Sequence, residues 1–241
     1  MISTDQPTCF PENVLVAVSS REDGSVLDRT RDNRHDPEMV ENRRRFCAAS
    51  GLEYDQCVYQ IISYDDGNTF DTIGEVTRPD SEGVHADVLY TETPGVGMFL
   101  PIADCVGTVV YDSVRHALAL AHIGRHASVA KTLTKTIEFF KQKGSDVQDI
   151  TIWMAPSVAK HDYILTWFDH LTDEDWEGFV SQEQDGIHLD LSGLNKALAV
   201  RAGVPEANIY VSNVNTATDP HYFSHSQGDT NGRFAVVAQL R

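Results

Sequence analysis

The chain has 241 residues, of which 41% are hydrophobic and 23% are charged, as in an ordinary globular protein. Its 36 acidic and 19 basic residues give a formal net charge of −17, so we expect no nucleic-acid binding through a broad basic surface. No apolar run reaches the length of a membrane span, and the first residues lack a signal-peptide profile. We therefore expect no membrane partner and a cytoplasmic location.

The cysteine content argues against a disulfide scaffold. Four cysteines in a chain of this size are too few for such a framework, and no two of them form a CxxC pair. We expect free thiols, and any metal site must be assembled from distant segments. No linker, repeat or low-complexity stretch divides the sequence, so we expect a single domain over residues 1–241.

In the first half of the chain, apolar runs predict strands at residues 14–19, 58–63, 88–90 and 96–102. Residues 28–37 are polar and predict an exposed loop. A helix is expected to begin at Pro37, with Asp36 as its cap, and to end near Gly51. Residues 65–83 contain little that is apolar and predict a long acidic loop.

In the second half, two apolar runs flank a turn at 112–115 and predict a hairpin. Helices are predicted at 128–143 and 190–202, where apolar residues recur at helical spacing. Further strands are predicted at residues 150–154, 209–211 and 234–240. Helices interrupt the strands irregularly, which indicates an α+β fold with mixed sheets more than a regular βαβ wind.

The predicted hairpin brings a cysteine and a histidine together. Cys105 enters the first strand at the same end at which His122 leaves the second. A thiol and an imidazole in this arrangement can hold a soft or borderline metal ion, or can act as nucleophile and base. The alternative is a structural cysteine beside an unrelated histidine at a strand end.

Seven short motifs occur in order along the chain: VSSREDGS at 18–25, DPEMVENR at 36–43, ADVLYT at 86–91, ADC at 103–105, WMAPSV at 153–158, DLSGLN at 190–195 and GR at 232–233. Together they resemble the laccase-domain family, also called multicopper polyphenol oxidases or YfiH-like proteins. Each motif alone is weak, but seven in this order across nearly the whole chain are specific. The resemblance implies mixed sheets packed between helices as an αββα-type sandwich.

The resemblance also implies an activity. Family members are associated with phosphorolysis of purine nucleosides and with deamination of adenosine, so the implied small-molecule partners are a purine nucleoside and phosphate. An older assignment is copper-dependent phenol oxidation. Multicopper chemistry needs close-set histidine clusters such as HxH pairs, and no HxH occurs in this sequence. Zinc is therefore a more plausible cofactor than copper.

The family's three metal ligands are matched here by only two residues, Cys105 and His122. The third position, a histidine in relatives, is Ile62 in this sequence, and an aliphatic side chain cannot bind a metal. A replacement ligand is conceivable because imidazole is a common ligand for zinc and copper. The candidates are His85, His126, His161 and His225.

The family positions also suggest catalytic and substrate-binding roles. Cys105, His122 and Asp104 are the predicted catalytic residues, with Asp104 orienting the other two. Arg21, Arg233 and His225 are the predicted substrate-binding residues, because guanidinium groups bind phosphate through paired hydrogen bonds.

Other departures from the family affect the expected activity. Both arginines of the family's "FSYRRD" segment are absent, and His126 replaces the arginine of "HAGWRG", which leaves Arg125 shifted by one position and pointing elsewhere. We therefore expect deamination to survive better than phosphorolysis. Two alternatives remain open. One is a metal-independent hydrolase or deamidase with Cys105 as nucleophile and His122 as base, and the other is a non-catalytic family member.

Overall fold

The computed structural model describes residues 1–29 and 34–241, so part of the predicted loop at 28–37 lies outside the described residues. The described α-helices are α1 (Pro37–Ala49), α2 (Arg125–Val129), α3 (Thr132–Gln142) and α4 (Leu191–Arg201). The described strands are β1 (Val14–Val18), β2 (Cys57–Ile61), β3 (Ile73–Glu75), β4 (Asp80–His85), β5 (Val88–Thr91), β6 (Gly97–Ile102), β7 (Val106–Asp112), β8 (Ala117–Ile123), β9 (Ile150–Met154), β10 (Ile164–Leu165), β11 (Val180–Gln182), β12 (Ile187–Leu189), β13 (Ile209–Val211) and β14 (Phe234–Leu240). The predicted α+β class is confirmed.

The first sheet has five strands in the order β1-β14-β6-β2-β4. Strand β14 pairs antiparallel with β1 and β6, whereas β2 pairs parallel with β6 and β4. Every residue of β14 is buried. This continuous burial is typical of a strand in the middle of a sheet that is covered on both faces.

The second sheet has six strands in the order β13-β9-β7-β8-β5-β3. Strands β7 and β8 form the predicted hairpin, in which Gly107 lies opposite His122. Leu118 and Leu120 of β8 pack in the core between the two sheets, while the intervening alanines pack against the helices. Because side chains alternate along a strand, His122 also points toward the first sheet.

Helices cover the outer faces of both sheets. Phe46 of α1 packs against Phe99 on the outer face of the first sheet. Leu133 of α3 and Leu194 of α4 belong to the core on the outer face of the second sheet. The four layers confirm the αββα arrangement that the resemblance implies. None of the helices in the described part of the chain is long and apolar enough to cross a membrane.

The structure corrects the predicted helix at 128–143. Two helices occupy this region, because α2 ends at Val129 and α3 begins only at Thr132. Lys131 between them has a φ of 57°, a left-handed conformation that interrupts the helical hydrogen-bond ladder. Of the apolar residues that predicted one helix, Val129 ends α2, whereas Leu133, Ile137 and Phe140 lie in α3. Their spacing continues across the break and therefore gives no sign of it.

The structure also corrects the predicted loop at 65–83, which contains β3 and most of β4. Both are edge strands of their sheets. Asp80, Ser81 and Glu82 of β4 are exposed, as is common at a sheet edge, where charged side chains discourage pairing with other chains. A third, small sheet in the order β10-β12-β11 was also not predicted.

Candidate active site

A cavity of about 830 Å³ lies where the two sheets meet the loops that follow β2, β6 and β8. Its volume is toward the upper end of the range for small-molecule sites. The lining includes Cys105 and His122, the predicted pair, together with Ile62. The hairpin, the end of β2 and the segment before β14 therefore converge on one space.

Gly124 shows how closely the pair approaches. A Cβ atom at this position would lie 2.9 Å from Cys105 Sγ, 3.2 Å from His122 Cε1 and 3.6 Å from His122 Nε2. The thiol and the imidazole therefore border the same small space beside the Gly124 backbone. Glycine leaves that space open, and any larger residue would fill it.

His122 is held as a neutral imidazole. Its side chain is 6% exposed, and its backbone N–H donates to the carbonyl oxygen of Asp87 at 2.9 Å. Burial, and then the positive charges of Arg29 and Arg233, lower the pKa of His122 to about 4. Its buried Nδ1 has no hydrogen-bond partner among the described residues.

Cys105 is held as a neutral thiol. Burial, and then the negative charge of Asp104, raise the pKa of Cys105 to about 12. Arg233, Arg29 and Arg125 act in the opposite direction. All three guanidinium groups therefore lie within electrostatic range of the sulfur. The sequence-based expectation that Arg125 points away from the site is wrong, because Arg125 lines the cavity.

Asp104 connects the β6–β7 junction to the segment before β14. Its Oδ1 accepts a hydrogen bond from Thr216 Oγ1 at 2.7 Å, and its Oδ2 accepts from the Ser226 backbone N–H and hydroxyl, each at 2.7 Å. Asp104 has a φ of 67° and is 4% exposed. A short polar side chain tolerates this left-handed backbone. Asp104 thus fixes the cavity wall that carries His225 and Ser226.

The cavity is rich in arginine although the chain is acidic. Four guanidinium side chains line it, those of Arg29, Arg34, Arg125 and Arg233. In the described part of the chain, the arginines that form ion pairs with carboxylates lie elsewhere: Arg21, Arg44, Arg115 and Arg201. The lining also includes the carboxylates of Asp65 and Asp104. Four guanidinium groups thus face two carboxylates, and the cavity wall carries a net positive charge, as a site for an anion requires.

Aromatic rings form another part of the wall. The rings of Phe70 and His126 stack with centroids 4.6 Å apart, and Tyr64 packs against both. Arg29 lies over the Tyr64 ring, 4.5 Å from its centroid. Burial, and then the charge of Arg125, lower the pKa of His126. A flat heterocycle can pack against such a wall.

The predicted site residues divide into two groups. Arg233, His225, His126 and His85 line the cavity with the Cys105–His122 pair. Arg21 and His161 are absent from its lining.

Both residues outside the cavity have other contacts. Arg21 donates to Asp229 Oδ2 at 2.5 Å and to the Tyr222 carbonyl at 2.8 Å, so it holds the loop before β14. His161 is largely exposed beside Asp162. Arg21 therefore makes a structural contact with the loop before β14.

Sequence reasoning missed several lining residues, namely Arg29, Arg34, Tyr64 and Phe70. All four lie in loops, where periodicity carries no information. The available signal was the concentration of arginine in residues 28–37 of an acidic chain.

Comparison with known proteins identifies the family of the chain. The family described as multi-copper polyphenol oxidoreductase laccase matches residues 19–241. The chain belongs to this laccase family. A purine nucleoside phosphorylase of Staphylococcus saprophyticus is 25% identical over 259 residues, covering 94% of this chain and 92% of that protein. A purine nucleoside phosphorylase of Deinococcus radiodurans is 27% identical over 218 residues, covering 87% and 81%.

Solved structures share the laccase-family fold. The YfiH protein of Bacillus licheniformis has a TM-score of 0.81 at 22% identity, covering 95% of this chain and 93% of that one. YlmD from Geobacillus stearothermophilus has a TM-score of 0.79 at 21% identity, covering 98% and 94%. These likenesses establish the architecture of this family member.

The laccase-family description implies a bound metal, but the donor set does not fit a three-ligand site. Among the described residues, the group of three metal-binding side chains with donor atoms within 4.8 Å of one another is Glu183, Asp185 and His188, outside the cavity. No histidine completes the pair at Cys105 and His122 within these residues. None of the four candidate replacement ligands, His85, His126, His161 and His225, belongs to such a group with the pair, and two protein ligands are fewer than the three of catalytic zinc sites.

Proposed function

We propose that this protein is a purine nucleoside phosphorylase that works in the arginine-lined cavity at Cys105 and His122. The observation that carries the proposal is the set of guanidinium groups around Cys105, those of Arg29, Arg125 and Arg233. The relatives named purine nucleoside phosphorylase support the same class of reaction.

Phosphorolysis transfers a ribosyl group from a base to phosphate. A phosphate oxygen bonds to C1′ while the C1′–N9 bond breaks, and the base leaves with the electron pair and takes the proton released by phosphate. The protein must hold a phosphate dianion in line with that bond. Guanidinium groups suit this task because they offer paired, charge-assisted hydrogen bonds.

The aromatic wall supports binding of the purine. A purine ring packed against Phe70 and His126 would bury apolar surface on a flat partner. His126 stays neutral near neutral pH because burial and Arg125 lower its pKa. A neutral ring stacks without the cost of burying a second positive charge beside Arg125.

The cavity changes the ranking of phosphorolysis and deamination that the sequence suggests. That ranking rests on lost arginines, and four other arginines line the cavity. Deamination of adenosine would use the same base pocket, but it needs an activated water. Within the described residues, zinc at this site would have Cys105 and His122 as protein ligands, which is fewer than the three of catalytic zinc sites. Formation of inosine from adenosine is therefore measured as a separate outcome.

The titration of the pair argues against a metal-independent cysteine hydrolase. A nucleophilic cysteine needs a depressed pKa or a base that accepts its proton. Here the pKa of the Cys105 thiol is raised to about 12, and the pKa of His122 is lowered to about 4. The thiolate–imidazolium pair is therefore strongly disfavoured in this environment.

The proposal is tested by measuring release of adenine from adenosine and hypoxanthine from inosine, with and without phosphate. We expect phosphate-dependent release with formation of ribose 1-phosphate. Arg233→Gln should lower the rate, and Arg44→Gln, an exposed arginine paired with Asp55, should not. Release without phosphate would indicate hydrolysis, and inosine formed from adenosine would indicate deamination. Neither reaction in a folded protein would favour the non-catalytic alternative.

A further inference from the structure

Arg233 is a buried cation whose hydrogen-bonding capacity the protein leaves partly unused. The residue is 7% exposed, and its Nη1 donates to the carbonyl oxygens of Gly232 at 2.6 Å and Asp229 at 3.5 Å. A guanidinium carries five N–H groups, and the two side-chain hydrogen bonds of Arg233 in the described part of the chain both come from Nη1. A charge removed from water is costly without a counter-charge. An anion in the cavity would supply it.

A second cation adds to this charge. Arg29 lines the same cavity and its charge acts on Arg233. The carboxylate of Asp104 also lies nearby, but its oxygens accept hydrogen bonds from Thr216 and Ser226. Two neighbouring like charges without an ion-paired carboxylate favour a ligand with at least two negative oxygens.

The side of the cavity that would complete a metal site is apolar. Ile62 packs against the same core cluster as Cys105 and offers no donor atom. Among the residues that the structure describes, a divalent cation here would meet two protein ligands and the repulsion of nearby guanidinium groups. The same surroundings stabilise an anion.

We propose that the cavity holds the phosphate co-substrate between Arg233, Arg29 and the Cys105–His122 pair, in place of the metal ion that the family description implies. The inference rests on the proposed phosphorolysis, because phosphate is the second substrate of that reaction. The guanidinium groups provide the positive charge at the site, so the protein needs no bound transition metal.

The metal part of the inference is tested without an activity assay. Protein is dialysed against zinc, then against buffer, and the retained metal is counted by mass spectrometry. We expect far less than one zinc per wild-type chain and about one per chain for Ile62→His, which adds the third ligand. Ile62→Gln, a polar control without an imidazole, should resemble wild type.

Two outcomes would overturn the metal part. The first is stoichiometric zinc in the wild-type protein. The second is an Ile62→His variant that is shown to be folded by its circular dichroism spectrum but retains no more zinc than Ile62→Gln. The missing ligand at position 62 would then not explain why the wild-type protein binds zinc weakly.

The anion part is tested by calorimetric titration of the metal-free protein with inorganic phosphate. We expect one site, weakened about tenfold or more by Arg233→Gln and by Arg29→Gln, since each removes a charge-assisted contact. Arg44→Gln should bind like wild type. The inference would be overturned if phosphate did not bind, or if phosphate bound to protein that contains zinc but not to the metal-free protein. Phosphate binding without base release would instead contradict the proposed phosphorolysis and leave the anion site standing.

Discussion

The carboxylate of Asp104 holds Ser226 across 122 positions of the sequence, accepting two hydrogen bonds of 2.7 Å from its backbone N–H and its hydroxyl. This contact ties the hairpin that carries Cys105 to the loop that carries His225. The relative position of the two cavity walls therefore depends on one buried carboxylate.

We expect Asp104→Asn to lower the free energy of unfolding by about 1–3 kcal/mol and to lower kcat/KM. An amide cannot accept both Ser226 bonds as strongly as a carboxylate, and its NH2 group would face a donor. Urea denaturation and the phosphorolysis assay measure the two effects. Thr216→Val, which removes a single bond to Oδ1, is the control and should lose about 1 kcal/mol with little change in activity. Equal losses of activity in both variants would contradict the assigned role of Ser226.

Gly124→Ala should reduce activity through a steric effect on the Cys105–His122 pair. The added methyl group would lie 2.9 Å from Cys105 Sγ, and the backbone at this residue is ordinary, with a φ of −90°. Overpacking of this kind costs about 1–3 kcal/mol. Gly97→Ala is a matched control because its methyl group would lie 2.8 Å from Cys57 Sγ in a different core. Both variants should melt at lower temperature, but only Gly124→Ala should lose phosphorolysis. A fully active Gly124→Ala variant would contradict a role for Cys105 and His122 in the reaction.

Phe70→Leu should raise KM for the nucleoside more than it lowers kcat. Leucine keeps apolar bulk but removes the flat face that stacks on His126, and aromatic pairs contribute about 0.5–1.5 kcal/mol beyond area burial. The expected change in KM is about two- to tenfold at that energy. Steady-state kinetics with inosine measures it, and the KM for phosphate serves as an internal control that should change little. A selective effect on the KM for phosphate would place the base elsewhere in the cavity.

The Arg21–Asp229 ion pair should make stability depend on pH in the acid range. A hydrogen bond from Arg21 lowers the pKa of Asp229 in the folded state, so the folded state binds a proton less readily than the unfolded chain. The pair therefore stabilises the fold above the ordinary aspartate pKa of about 3.9, and this stabilisation is lost as the pH falls through the lower folded pKa.

The measurement compares wild type with Asp229→Asn by urea denaturation between pH 7 and pH 3. Both partners are partly exposed, so we expect a difference of about 1 kcal/mol or less at pH 7. That difference should shrink toward pH 3. A difference that grows as the pH falls would contradict the sign of the shift.

Much of the fold could be predicted because its central elements are strongly patterned. The hairpin of β7 and β8 and the strand β14 are apolar runs, and Asp36 caps α1 as expected by accepting from the Glu38 N–H. Strands β3 and β4 could not be predicted from apolar patterning. Both lie at sheet edges, where a strand does not need to alternate buried apolar residues with exposed polar ones. The helix break at Lys131 was hidden because a lysine adopts a conformation that usually signals glycine.

The candidate site was partly predictable for a related reason. The proximity of Cys105 and His122 follows from the register of one hairpin, which is local in sequence. Arg29 and Arg233 come from segments near opposite ends of the sequence and line one cavity only because of tertiary packing. No rule of local spacing predicts such an arrangement. Arg125 shows why comparison of aligned positions with family members can mislead. It lies one position before the family's arginine, at the start of α2, and its side chain still lines the cavity.

The position of β14 bears on how a newly synthesised chain matures. This strand lies between β1 and β6, so both of those strands leave the ribosome before the partner that joins them exists. Ser226 and Arg233 lie close before β14 or next to it, so the cavity wall that they form is also completed only after the rest of the cavity has been synthesised. We infer that the first sheet can be completed only after β14 has been synthesised, and that until then β1 and β6 each expose an unpaired apolar edge on which chaperones could act.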